Sequence, residues 1–277
     1  MTEVKIENNS VRLVNVSRFD LADTLDCGQA FRWSNHDGIW CGIAYGKYLK
    51  LYNDGKDIVI EGASKSDYDN IWCNYFDLKR DYDGIVAAIS DNAKLKEISD
   101  ITGNIRILRQ EPWETLCSFI ISQNNNIPRI KGIIERLCEN FGDKIEGGYA
   151  FPSAEKIAKL TEADLAPLRC GFRAKYIIDA ARKVANGEVD LYALCDTDTA
   201  SAAEELMKIK GVGPKVAACT LLFGCGHISS FPVDVWIKRA MQALFSDGLP
   251  EVALPYAGIV QQYIFHYARL TKLEFDE

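Results

Sequence analysis

Apolar and polar residues alternate along much of the first sixty positions, and a period of two is typical of strands with one buried face. Val11 to Val16 alternates in this way, and turn formers such as Asn53, Asp54 and Gly55 separate later segments of the same kind from one another. The predicted strands cover residues 11–16, 29–33, 39–45, 47–52 and 57–61. The pattern therefore predicts an antiparallel meander.

The apolar spacing changes to three and four from about residue 64, which favours helices. The clearest predicted helices cover residues 112–122, 127–141, 154–160, 175–186, 202–209, 214–223, 235–243 and 254–270. Strands followed by helices predict an α+β fold with two parts. We expect an N-terminal antiparallel sheet domain with flanking helices over 1–106 and an all-helical domain over 107–277.

Composition supports an ordinary globular chain, with 48% hydrophobic and 26% charged residues. No stretch is apolar enough to span a membrane, and the start lacks the pattern of a signal peptide, so we expect a soluble protein whose mature form is the whole chain. The nine cysteines include no C-x-x-C pair, and the chain has three histidines. We therefore expect reduced, buried thiols and no zinc or haem site.

The net charge of −7 and the pI of about 5.2 argue against a protein that binds nucleic acid. Lys and Arg supply most of the affinity for phosphate, and DNA-binding domains are often strongly basic. A DNA-binding function therefore requires a local basic face on an acidic chain.

The segment around Gly211, Val212 and Gly213 carries the first chemical signal. A predicted helix ends at Lys210 and Pro214 begins the next one, so two glycines flank a valine in a short turn between helices. Glycine leaves backbone N–H groups open to a phosphate, and such a turn binds the DNA backbone without reading sequence. A plain helix connection with glycine at the C-cap is the main alternative. A dinucleotide-binding loop is disfavoured because a helix, not a strand, precedes it.

Lys215 follows this hairpin directly, and Asp234 lies further on in the segment Phe231-Pro-Val-Asp-Val. This combination resembles the helix–hairpin–helix DNA glycosylase superfamily. The resemblance implies that Lys215 is a nucleophile that forms a Schiff base with C1′ of the sugar, after which β-elimination nicks the strand. It also implies that the Asp234 carboxylate stabilises positive charge on the sugar. The alternative interpretation is that Asp234 is a plain helix N-cap, and that role is compatible with catalysis.

Three further segments, 27–33, 109–114 and 118–130, resemble the 8-oxoguanine DNA glycosylase family and occur in family order. The resemblance implies a sheet domain like that of the TATA-binding protein. It also implies that the Gly28 carbonyl accepts N7–H of the oxidised base, where guanine presents a lone pair. Cys219 and Phe265 would pack on the two faces of the extruded base, and Gln261 would bind its Watson–Crick edge. Taken alone, Cys219 and Phe265 would be assigned to the core.

Four more residues match the family's contacts to the cytosine left unpaired when the lesion is extruded. Asn124 would fill the vacated space, Arg129 and Arg173 would bind the acceptor edge of cytosine, and Phe172 would insert beside it. Better-known members have tyrosine at the Phe172 position. A capping loop for the asparagines and surface positions for the arginines are the plain alternatives.

The resemblance implies double-stranded DNA containing oxidised guanine as the partner, a monomer, and no membrane association. No cofactor is expected beyond a structural cation that the hairpin is able to hold, because the four-cysteine iron–sulfur motif of other branches is absent. Trp236 stands where eukaryotic members of the family have a histidine, so the resemblance does not extend to a phosphate contact at this position. The expected location is the cytoplasm, at the nucleoid, in a bacterium or archaeon, or the nucleus in a eukaryote.

Three other functions remain open at this point. The first is a glycosylase of the same superfamily directed at other damaged bases, such as alkylated ones. The second is a DNA-binding protein without catalysis, which the presence of both Lys215 and Asp234 disfavours. The third is an acidic scaffold for protein interactions, which explains the charge but none of the motifs.

Overall fold

A computed structural model describes residues 3–7 and 9–272 of the chain. Its N-terminal part is a six-stranded antiparallel sheet made of β1 Glu3–Glu7, β2 Ser10–Val14, β3 Trp33–His36, β4 Ile39–Ala44, β5 Lys47–Asp54 and β6 Asp57–Glu61. The strand order in the sheet is β1-β2-β6-β5-β4-β3. Left-handed residues close its tight turns: Asp37 and Gly38 join β3 to β4, and Tyr45 and Gly46 join β4 to β5.

Helices make up most of the rest of the described chain, apart from a small hairpin of Lys144–Ile145 and Gly148–Tyr149. The predicted α+β class is confirmed, and no described helix is long and apolar enough to cross a membrane. The α-helices are α1 Leu21–Leu25, α2 Lys65–Asp67, α3 Cys73–Tyr75, α4 Tyr82–Ile89, α5 Ala93–Thr102, α6 Pro112–Ser122, α7 Ile127–Phe141, α8 Ala154–Ala158, α9 Ala174–Ala185, α10 Thr199–Met207, α11 Pro214–Thr220, α12 Val235–Leu244 and α13 Ala257–Leu270.

Strong local capping signals explain why two helices match their predicted bounds. Glu111 caps α6 by accepting a hydrogen bond from the Glu114 N–H at 2.7 Å, and Pro112 takes the first helical position. Asn126 caps α7 in the same way through the Arg129 N–H at 3.0 Å. Other predictions differ at their ends: α11 passes into a π-helical turn, Leu221–Cys225, and a 3₁₀ turn, Glu251–Tyr256, precedes α13.

The strand predicted at 29–33 is wrong, because only Trp33 of that segment belongs to a strand. The Gln29 side chain turns inward and bonds with distant backbone instead of lying on a pleated surface. Its amide donates to the carbonyls of Thr24 and Arg106 at 2.9 and 2.8 Å and accepts the Leu108 N–H at 2.9 Å. These partners convert residues 26–32 into a fixed loop between α1 and β3, called the Gly28 loop below.

Two apolar cores hold the described chain together. One joins the sheet to α1 and the α2–α3 segment, and the other fills the space between the remaining helices, including α4 and α5. The division that we propose after residue 106 falls in the extended segment 105–111. Met1, Thr2 and Asn8 of the proposed first domain and residues 273–277 of the second lie outside the described residues.

All nine cysteines are free thiols. Six are buried as predicted, whereas Cys41, Cys195 and Cys225 are only half-buried.

Candidate active site

A cleft of about 730 Å³ opens between α6, α11, α13 and the Gly28 loop. It brings together side chains and backbone from segments more than two hundred residues apart in the chain. Six predicted site residues line this cleft: Gly28, Lys215, Cys219, Asp234, Gln261 and Phe265.

Lys215 lies in the first turn of α11, directly after Pro214. Its Nζ donates a hydrogen bond to Ser122 Oγ at 3.3 Å and lies 5.1 Å from the centre of the Phe119 ring. Phe119 in turn stacks on Phe223, with ring centres 5.4 Å apart. The amine is therefore held over an aromatic floor by a polar contact with Ser122, in a position that lines the cleft.

Cys219 follows Lys215 by one helical turn and shares its face of α11. Its side chain is buried, and burial raises the pKa of the thiol to about 11. The thiol is therefore neutral at physiological pH. It offers a small polarisable surface to a ligand in the cleft rather than a charge.

Asp234 is the N-cap of α12, and its Oδ1 accepts the Ile237 N–H at 2.8 Å. The predicted capping role is confirmed. Because the same residue lines the cleft that contains Lys215, capping holds Asp234 at the cleft instead of removing it from the site.

Gln261 and Phe265 lie one turn apart on α13. Oε1 of Gln261 is buried and has no hydrogen-bond partner within the described part of the chain. An unsatisfied buried acceptor costs about 1–3 kcal/mol, and a donor on a ligand would recover that cost. Phe265 is half-buried and faces the Gly28 loop: a Cβ added at Gly28 would lie 3.6 Å from its ring.

Gly28 has a φ of +92°, a conformation that side chains rarely adopt. A substitution here would strain the backbone even though the nearest atoms, from Ile127 and Phe265, leave ordinary contact distances. The glycine is therefore required by the shape of the loop at the cleft wall.

The predicted cytosine contacts lie outside the residues that line the cleft. Arg173 is only 3% exposed, and its guanidinium bonds with backbone carbonyls of Cys170, Gln123 and Asn124. Burial and then the nearby charge of Arg129 lower the pKa of Arg173. Arg173 thus anchors the loop that carries Asn124.

The other three members of this group are open to solvent. Phe172 is 46% exposed, and the Arg173 guanidinium lies 4.5 Å from its ring. Asn124 is exposed with a φ of +47°, and Arg129 is exposed on the first turn of α7. Asn124, Arg129, Phe172 and Arg173 together are called the orphan-base surface below.

The hairpin forms the turn between α10 and α11. Gly211 has a φ of +82°, and a Cβ there would lie 2.4 Å from the Tyr176 ring, so the position requires glycine on two grounds. Val212 is buried and donates its N–H to Ile209 O at 3.0 Å. Gly213 is the N-cap of α11, and nothing lies within 4 Å of an added Cβ. The open side of the hairpin is therefore at Gly213.

The cleft is locally basic although the chain is acidic. Lys215, Arg269 and Lys272 line it, and Asp234 is the one acidic residue among the described lining residues. Trp236 also lines the cleft and is 54% exposed. No group of three His, Cys, Asp or Glu side chains that could hold a metal ion occurs within residues 3–7 and 9–272.

Comparisons with known proteins agree with this geometry. A model of the N-terminal domain of 8-oxoguanine DNA glycosylase matches residues 12–116, and a model of the HhH-GPD superfamily of base excision DNA repair proteins matches residues 117–249. The N-glycosylase/DNA lyase of Saccharomyces cerevisiae is 36% identical over 82% of this chain and 68% of its own length. The chain belongs to the 8-oxoguanine DNA glycosylase family.

Two further relatives extend the similarity. A probable N-glycosylase/DNA lyase of Methanothermobacter thermautotrophicus is 30% identical over 72% of this chain and 74% of its own length. The 8-oxoguanine glycosylase/lyase of Clostridium acetobutylicum, solved with double-stranded DNA containing cytosine opposite 8-oxoguanine, has 40% identity and a TM-score of 0.92. That similarity covers 98% of this chain and 99% of the solved one.

Sequence reasoning missed two residues at this family site. Ser122 holds the Lys215 amine, and no local pattern at Ser122 points to a partner 93 positions away. Gln262 is buried and donates from Nε2 to the Cys27 carbonyl at 3.1 Å. The signal for Gln262 was present, because a glutamine on the buried face of a helix requires a hydrogen-bond partner.

Proposed function

We propose that this protein excises 8-oxoguanine, and ring-opened formamidopyrimidine guanine, from duplex DNA opposite cytosine and then nicks the strand at the abasic site. The observation that carries the proposal is the single cleft in which an amine, Lys215, meets a neutral thiol, an aromatic ring and an unpaired amide oxygen. Names of the family relatives support the same activity.

Base recognition follows from the cleft lining. The extruded base packs between Cys219 and Phe265, with its Watson–Crick edge toward Gln261, whose free Oε1 accepts a base N–H. The Gly28 carbonyl accepts N7–H of the oxidised base. Guanine presents a lone pair at that atom, so the same carbonyl repels it.

The chemistry uses Lys215 and Asp234. The neutral amine attacks C1′, the glycosidic bond breaks, and its electron pair leaves with the base, which takes up a proton. The amine loses its proton and the sugar ring opens to give the Schiff base. Loss of a C2′ proton then breaks the C3′–O bond, and water releases the enzyme. Asp234 stabilises the positive charge that develops on the sugar.

The DNA around the lesion is held by the remaining predicted residues. Backbone N–H groups of Gly211 and Gly213 bind phosphate. The predicted phosphate contact of Val212 does not fit, because its buried N–H is already donated to Ile209 O at 3.0 Å. Asn124 fills the vacated space, Phe172 wedges beside the orphaned cytosine, and the two arginines of the orphan-base surface bind its acceptor edge. The lysine and arginine side chains that line the cleft supply the basic face that DNA binding by an acidic chain requires.

The proposed chemistry needs no cofactor, because amine and carboxylate carry every step. A monomer suffices, since one chain contributes all the named groups. The place of action is the genome: the nucleoid in a bacterium or archaeon and the nucleus in a eukaryote.

Base release from matched duplexes tests the proposal. Duplexes containing 8-oxoguanine opposite each of the four bases, 3-methyladenine and undamaged guanine are incubated with excess protein, with and without borohydride. We expect release of 8-oxoguanine, fastest opposite cytosine, together with a covalent protein–DNA adduct. Release of 3-methyladenine without release of 8-oxoguanine would instead identify a glycosylase for alkylated bases. Lesion binding without any release would identify a non-catalytic DNA-binding protein.

A further inference from the structure

Three consecutive carbonyls of the Gly28 loop have different partners. The Cys27 carbonyl accepts Gln262 Nε2 at 3.1 Å, and the Gln29 carbonyl accepts Gln110 Nε2 at 2.6 Å. Within the described residues, the Gly28 carbonyl between them accepts no hydrogen bond. Two glutamine side chains thus occupy the outer carbonyls and leave the middle one available to a ligand.

Gln262 makes its contact in a dry environment. It is 3% exposed and Cys27 is fully buried, so water cannot replace the amide if it is removed. A buried carbonyl without a donor carries a large penalty, and the backbone would rotate to find another partner. Gly28 has no side chain to resist that rotation, and its own carbonyl would turn with the neighbouring peptide.

Helix α13 connects this contact to the rest of the cleft. Gln261, Gln262 and Phe265 all lie on it, so one rigid element carries the edge-binding amide and the stacking ring and also fixes the loop that faces that ring. A shift of α13 would therefore move all three contacts together. This arrangement fixes the position of the Gly28 carbonyl relative to the place where the base binds.

We infer that Gln262 is a positioning residue for lesion recognition: its amide orients the Gly28 carbonyl toward N7–H of the oxidised base. Gln110 performs the same task from the other side of the loop. The inference rests on the proposed function and adds to it two residues that act through the carbonyls of the Gly28 loop.

Two substrates separate this role from a merely structural one. Excision of 8-oxoguanine opposite cytosine requires the base to be recognised. Cleavage of a preformed abasic site opposite cytosine requires the fold, DNA binding and Lys215, but no base in the cleft. Single-turnover rate constants for both substrates are measured for wild type, Gln262→Met, Gln110→Met and Gln261→Met.

For Gln262→Met we expect 8-oxoguanine excision to fall about fivefold or more, the effect of one lost hydrogen bond in a buried setting. Abasic-site cleavage stays within about twofold of wild type, a change equivalent to a small fraction of one hydrogen bond. We expect Gln110→Met and Gln261→Met also to lower 8-oxoguanine excision and to leave abasic-site cleavage nearly unchanged. Asn140→Leu is the matched control, because its amide bonds with the Arg136 carbonyl of its own helix in an exposed position. Both rates of the control match wild type.

Equal loss of both activities in Gln262→Met would show that the residue only supports the fold, and unchanged 8-oxoguanine excision would show that the loop does not depend on it. Either result overturns the inference. Failure of the wild-type protein to excise 8-oxoguanine while it still cleaves the abasic site would overturn the proposed function instead.

Discussion

The lesion cleft and the orphan-base surface are built in opposite ways. In the cleft, Gln261 keeps a buried acceptor without a partner, and the Gly28 carbonyl accepts no bond from the described residues. On the orphan-base surface, Arg173 already bonds with three backbone carbonyls, and Phe172 is exposed to water. The cleft therefore presents unpaired acceptors to a ligand, whereas Arg173 of the orphan-base surface is bound to the protein's own backbone.

This difference implies a division of labour. Substitutions of Lys215 and Gln261 should abolish chemistry or lesion recognition with little loss of stability, because Lys215 is only half-buried and Gln261 Oε1 has no partner among the described residues. Substitutions on the orphan-base surface should change opposite-base preference where the side chain is exposed. They should also change stability where the side chain bonds with the protein's own backbone, as Arg173 does.

Lys215→Gln should lower excision by about 10³-fold or more, the order of loss expected when one preorganised catalytic group is removed. The variant keeps the aromatic floor and should still bind the 8-oxoguanine duplex. Single-turnover excision and equilibrium binding measure the two properties. Loss of lesion binding equal to the loss of excision would mean that Lys215 holds DNA and does not carry the reaction.

Arg129→Ala should relax the preference for cytosine over adenine opposite the lesion by about 5- to 150-fold, the range for one good contact to a base edge. The relevant measurement is the ratio of excision rates from the two duplexes. An unchanged ratio would show that Arg129 does not contact the base opposite the lesion.

Arg173→Met should lower the free energy of unfolding by about 1–3 kcal/mol, because three backbone carbonyls lose their donor. The matched control, Arg129→Ala, should change it by less than about 0.5 kcal/mol, since Arg129 is exposed. Urea denaturation of both variants makes the comparison. If the two variants were equally stable, Arg173 would not anchor the Asn124 loop.

Gln261→Met should weaken excision yet raise the free energy of unfolding by about 1 kcal/mol, because it removes a buried unsatisfied acceptor. We expect this combination of weaker excision and higher stability for a cleft residue whose polar group is left unpaired for a ligand. A destabilised Gln261→Met protein would place this residue among those that support the fold.

Cys219 should produce no step in the pH profile of excision between about pH 6 and about pH 9, because burial raises the pKa of its thiol to about 11. Unfolding exposes the thiol and lowers its pKa toward 9.0, so any stability that it contributes is present below that pH and declines as the pH rises toward about 11. Cys219→Ala should lower the rate by the same factor at each pH. A step in the wild-type profile that this variant removes would contradict a neutral thiol.

The sequence predicted elements well where the determining contacts are local. Caps at Glu111 and Asn126, each with a proline in the first turn, set the starts of α6 and α7. The strand predicted at 29–33 failed because the partners of Gln29 lie 77 and 79 positions away. No period in the sequence carries that information.

The site divides in the same way. Family motifs identified the six residues that the structure places around one cleft. They did not show that Arg173 is buried against backbone, or that Gln262 holds the Gly28 loop, because both facts depend on how separate segments pack. Their roles on DNA remain predictions for the experiments above.

The most direct test of the account is to identify the atom that bonds with the sugar. The protein is trapped with borohydride on a duplex containing 8-oxoguanine opposite cytosine, digested, and analysed by mass spectrometry. We predict that the reduced sugar adduct lies on Nζ of Lys215 and that Lys215→Gln gives no adduct. An adduct on another amine, or an undiminished one in the variant, would contradict the account.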